Sequence, residues 1–150
     1  ATNPHAANGS LQAFGPVVWI VGGLLKGVDV APLVERHVAR LRAAIVIGVD
    51  RAPVVAAFAR HAPGIPLVEV DEPDTGDVMR TAVTAALAHA SSGDTVLLAP
   101  AAASMDQFDD YADRGLRFQQ AVRDEQERER GAHGHDGGGR TPDPGGPGPR

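Results

Sequence analysis

The chain contains no cysteine, which excludes both a disulfide framework and a thiolate metal site. Aromatic residues make up only 4% of it, so a core has to be built from Val, Leu, Ile and Ala. No apolar run approaches the ~18 residues of a membrane span. Positive charge is also scarce: 14 Lys and Arg face 19 Asp and Glu, for a formal net charge of -5. That balance argues against nucleic acid or an anionic membrane as a partner. A nucleophile elbow and a Ser-His-Asp order are absent as well.

What remains is 43% hydrophobic in 150 residues, enough for one domain with a real core. Four short apolar runs read as strands: "PVVWIVGG" (16–23), "AAIVIGVD" (43–50), "IPLVEV" (65–70) and "DTVLLAP" (94–100). They are continuous rather than alternating, which predicts strands covered on both faces. Helix-like segments separate them. "DVAPLVERHVARL" (29–41) sets Val30, Leu33, Val34, Val38 and Leu41 on one stripe. Residues 52–62 carry Pro53 in the first turn. Residues 74–94 should turn Val78, Val83, Ala86, Leu87 and Ala90 inward, and 113–130 should do so with Leu116, Phe118, Ala121 and Val122. Residues 4–14 fit a further helix, with Asn3 capping it and Pro4 at its first position. The expected fold is α/β: a Rossmann-like, doubly wound, mainly parallel sheet with helices on both faces. Residues 1–130 form this domain. Residues 131–150, "GAHGHDGGGRTPDPGGPGPR", hold no large apolar side chain and read as a disordered Gly/Pro-rich tail.

Ligands of such sheets sit beyond the carboxyl ends of the strands. Two loops there hold chemistry. "VGGLLKG" (21–27) places Lys26 in a glycine-rich turn. It has neither the GxxxxGK[ST] spacing of a phosphate loop nor GxGxxG. It is either a plain glycine turn with a solvated lysine or a turn that aims Lys26 at an anion, most simply a carboxylate. "PAAASMDQF" (100–108) also has two readings. Its small residues either allow close strand–helix packing or leave room for a ligand, with Ser104 and backbone N–H groups as donors. A helix N-terminus there would add ~0.3–1 kcal/mol for an anion. His5, His37, His61 and His89 are scattered and read as surface or helix-flank residues, and "DEPDTGD" (71–77) as a solvated turn.

Three stretches taken together, "ATN" at the start, "GGLLKG", and "GDTVLLAPAAASMDQFDDYADRGLRFQQAV" (93–122), resemble the C-terminal domain of the Mur ligase family. The family pattern in the last is close to GDxVLLSPACASxDQFxxFxxRGxxF. This chain keeps most of it, from Gly93 and Asp94 through Ser104, Asp106, Gln107 and Phe108 to Arg114, Gly115 and Phe118. It departs at Ala99, Ala102 and Tyr111, where the pattern has Ser, Cys and Phe.

The resemblance implies ATP-dependent peptide synthesis in the cytoplasm, in the making of peptidoglycan precursors. ATP phosphorylates the carboxylate of UDP-N-acetylmuramoyl-L-alanine, and the amine of D-glutamate attacks the acyl phosphate. The C-terminal domain's share is to hold D-glutamate. Carried over residue by residue, its ligands fall on Thr2, Lys26, Ser104 and Tyr111. A lysine with hydroxyl donors suits a dicarboxylic amino acid, since each hydrogen bond to a charged group is worth ~1.5–3 kcal/mol. The resemblance places ATP and Mg2+ in upstream domains and implies a monomer.

The opening "ATNPHAANGS" has no initiator Met, and the chain is expected to be a fragment that is inactive alone and binds no cofactor by itself. Three rival readings stand beside this one: another amide ligase of the same family, a non-catalytic nucleotide-binding or regulatory module, and an interaction protein acting through its charged helix and tail. The module would need an acid after the second strand, which Asp50 supplies, and a glycine fingerprint, which is missing.

Overall fold

Continuous β-branched runs pair into a sheet once helices cover both sides, and the chain does this with its four apolar segments. The computed structural model describes residues 3–72, 75–102, 107–108 and 110–135. The elements run α1 (Pro4–Gln12), β1 (Val17–Gly22), α2 (Ala31–His37) with a 3₁₀ turn (Val38–Arg40), β2 (Leu41–Ile47), α3 (Ala52–His61), β3 (Leu67–Glu69), α4 (Thr75–His89), β4 (Thr95–Leu98) and α5 (Tyr111–His135). The sheet order is β3-β2-β1-β4, and every pairing is parallel. This is the doubly wound α/β sheet expected from the alternation of strands and helices.

Side-chain parity explains the two layers. Val17, Trp19 and Val21 of β1, with Ala44 and Val46 of β2, pack under α1, α2 and α3. Val18 and Ile20, with Ala43, Ile45 and Ile47, pack under α4 and α5. All of β1 is buried. Asn3 caps α1 as expected, its Oδ1 accepting the Ala6 N–H at 2.8 Å.

Four local expectations give way to packing. The helix over 29–41 is shortened to Ala31–His37, and Leu41 joins β2 instead. Leu87 and Leu116 are exposed, because α4 turns Val78, Met79, Ala82, Val83 and Ala86 to the sheet and α5 packs through Phe118, Ala121 and Val122. His37 is buried rather than superficial. It lies beneath α1, where its Nε2 meets Asn8 Oδ1 at 2.7 Å, and its Nδ1 has no partner among the described residues. Burial, then the nearby Arg40 and Arg36 charges, push its pKa below the ordinary histidine value. Helix α5 runs into the glycine-rich stretch as far as His135, and residues 136–150 lie outside the described residues. Among the described residues no helix is long and apolar enough to cross a membrane.

A register shift between Val17 and Val18 leaves Arg42 as the extra residue on β2. Its guanidinium reaches the start of β4, donating to Asp94 from Nε at 2.9 Å and from Nη2 at 3.2 Å. Asp94 also accepts the Ser91 N–H at 2.7 Å. These bonds, that of Arg42 first, hold the Asp94 carboxyl below its usual range. A depressed folded-state pKa contributes stability that is present above the ordinary carboxylate pKa and is lost as pH falls through the lowered one. Asp94→Asn should therefore destabilise the chain at neutral pH, with the gap to the parent narrowing on acidification below the ordinary carboxylate value of about 4. Urea unfolding at the two pH values checks this, and a gap that stayed constant would contradict it.

Candidate functional site

The strand order puts the topological switch between β1 and β4. The crossover from β1 to β2 goes one way and the return from β3 to β4 goes the other. Ligand crevices form beyond the strand ends at such a point; the turns after β1 and β4 flank it, and the turn after β2 lies on the other side of β1.

The first follows β1. Gly22 and Gly23 have φ of 119° and 134°, and the turn continues through Lys26 (φ 53°) and Gly27 (φ 79°). Asp29 Oδ1 then accepts the Ala31 N–H at 2.9 Å and starts α2. The Lys26 side chain is exposed at this rim.

The second turn follows β2. Gly48 (φ 111°) ends the strand before Val49, and Asp50 Oδ1 accepts the Ala52 N–H at 3.3 Å at the head of α3. Arg51 donates from Nη1 to the Gly48 carbonyl at 3.1 Å and pairs with Glu69 and Asp71, each at 3.4 Å. The two turns wall a cleft of about 600 Å³. Lys26, Leu24 and Val28 stand on one side, and Val49, Asp50 and Pro53 on the other.

The third turn leaves β4. Its first residues are tied down: Trp19 Nε1 donates to the Ala99 carbonyl at 2.7 Å, and the Gly22 N–H to the Pro100 carbonyl at 2.9 Å. Ala101 takes the left-handed conformation, φ 62°. Arg114 of α5 is buried and donates from Nη1 to the Ala102 carbonyl at 2.9 Å. Further on, Gln107 Oε1 accepts the Gly48 N–H at 2.8 Å.

Of the four expected substrate ligands, only Lys26 has a described side chain. Thr2 and Ser104 lie outside the described residues, as does the side chain of Tyr111, whose backbone opens α5. The glycines of the β1 turn have neither the spacing of a phosphate loop nor that of a dinucleotide fingerprint. Among the described residues no group of three or more His, Cys, Asp or Glu could hold a metal ion.

No family model matches the chain. Curated relatives do. It is 65% identical over 122 residues to the UDP-N-acetylmuramoylalanine–D-glutamate ligase of Leifsonia xyli, covering 81% of this chain and 24% of that protein. The ligases of the same name from Streptomyces avermitilis and Nocardia farcinica are 54% and 53% identical, over 82% and 81% of this chain and 26% and 28% of theirs. The chain belongs to the Mur ligase family. It spans about a quarter of the length of these relatives.

Within this family member, sequence reasoning passed over three residues that shape the rim. Gly48 was swallowed by an apolar run read as strand to Asp50, although a lone glycine in such a run signals a break. Gln107 and Arg114 stand in the quoted pattern with no role; their partners, Gly48 and Ala102, are 59 and 12 positions away.

Proposed function

We propose that this chain is the D-glutamate-binding part of a ligase that joins D-glutamate to UDP-N-acetylmuramoyl-L-alanine in peptidoglycan precursor synthesis. The observation that carries the reading is the match to D-glutamate ligases across a segment whose one described candidate ligand, Lys26, is exposed at the carboxyl rim of the sheet. Lys26 pairs with one carboxylate of D-glutamate, and Thr2, Ser104 and Tyr111 complete the cradle. Holding both carboxylates leaves the amine free to face its electrophile, so the chain's contribution is positioning. ATP and Mg2+ bind outside these 150 residues, and the isolated chain has no ligase activity. The reading sets the reaction in the cytoplasm, with a monomeric protein and no nucleic acid or membrane partner.

The test is a chimera in which this chain replaces its matching segment in the Leifsonia xyli ligase. The chimera should consume D-glutamate and form the amide product. Lys26→Ala removes a charge-assisted contact of ~1.5–3 kcal/mol, so KM for D-glutamate should rise about 10- to 100-fold. A chimera that folds but does not use D-glutamate, or a Lys26→Ala variant with unchanged KM, would sink the reading.

A further inference from the structure

The end of β2 is held by a side chain from far along the sequence. The Gln107 Oε1–Gly48 N–H bond, at 2.8 Å and partly buried, joins positions 59 residues apart. Gly48 lies beyond the last paired residues of β1 and β2, Gly22 and Ile47, so its N–H is past the end of the ladder. It also lies directly against the β1 turn, since a Cβ added at Gly48 would sit 2.9 Å from the Gly23 nitrogen and 3.1 Å from its Cα. The Gly23 turn carries Lys26 and the Gly48 turn carries Asp50, and these are opposite walls of one cleft. Lys26 has φ 53°. For a residue with a Cβ this conformation costs ~1–2 kcal/mol, and it persists only where the surroundings enforce it.

We propose that Gln107 is a positioning residue for the amino-acid substrate: its carboxamide clamps the β2 turn against the β1 turn and thereby sets where Lys26 stands. This rests on the D-glutamate-binding reading above. Without the carboxamide, water can satisfy the Gly48 N–H, but water ties it to nothing. The fold then survives while the lysine loses its fixed place, and an error of about 1 Å in a positioned group can cost 10²-fold.

A double-mutant cycle in the chimeric ligase tests the clamp. Gln107→Met keeps the length of the side chain and removes the acceptor. It should raise KM for D-glutamate about tenfold while kcat changes less than about threefold. In the Lys26→Ala background the same substitution should change KM less than about twofold, because the group it positions is gone. A purely structural role would give equal effects in both backgrounds, and that result, or an unchanged KM, overturns the proposal. Gln107→Asn, a methylene too short to reach, repeats the cycle if the Met variant does not fold. An unsubstituted chimera inactive on D-glutamate fails the ligase reading and takes the clamp with it. An active chimera without coupling fails the clamp alone.

Discussion

Gly22→Ala should cost the chain a large part of its stability. Gly22 ends β1 at φ 119°, and an added Cβ would stand 2.2 Å from the Ile47 carbonyl oxygen and 3.1 Å from its carbon. Both are backbone atoms of the neighbouring strand, so neither can rotate away. Relief requires separating β1 from β2 at the centre of the sheet, where the Gly22 N–H also bonds the Pro100 carbonyl at 2.9 Å. Backbone strain alone costs ~1–3 kcal/mol. With the ladder opened, the loss should exceed ~4 kcal/mol, a large part of the ~5–15 kcal/mol that holds an ordinary domain together. Gly9→Ala is the control. Gly9 sits in α1 with nothing within 4 Å of an added Cβ, so alanine there should stabilise by ~0.5–1 kcal/mol. Urea titration followed by circular dichroism separates the two. A Gly22→Ala chain as stable as the Gly9→Ala chain would refute the close-approach argument.

Trp19→Ala should cost ~3–5 kcal/mol. Trp19 is wholly buried at the middle of β1, and its ring meets Phe58 of α3 with centroids 5.8 Å apart, tilted by 55°. It also donates from Nε1 to the Ala99 carbonyl at 2.7 Å, at the point where β4 becomes the third rim turn. Trp19→Phe separates the two contributions. It keeps most of the apolar volume and strands the buried Ala99 carbonyl, a loss of ~1–3 kcal/mol. The unfolding midpoints should therefore order as parent, Trp19→Phe, Trp19→Ala. Equal midpoints for parent and Trp19→Phe would mean that the indole bond contributes nothing and that the tryptophan acts by volume alone.

These two positions show how much of the fold is legible in the sequence alone. The run "PVVWIVGG" announced a buried strand ending in glycine, and both were found. Nothing in that run said that Trp19 would bond Ala99, a partner 80 positions away. Lys26 could be assigned to the carboxyl rim because it closely follows a strand in a glycine turn. The sequence places His37 on a helix flank, whereas the fold buries it against Asn8 of α1, a partner 29 positions away. Leu87 and Leu116 were misjudged because a helical stripe about 100° wide can be rotated slightly and still be apolar.

Periodicity, strand composition and turn residues are local, and they were enough for the α/β class, the number of strands, the cap at Asn3 and the loop that carries Lys26. Strand order, the shift that frees Arg42 for Asp94, and the bonds from Gln107 to Gly48 and from Arg114 to Ala102 came from packing between distant segments. The reason is that a hydrogen bond across the sheet depends on where two remote backbones come to rest, and no pattern within either segment encodes that separation.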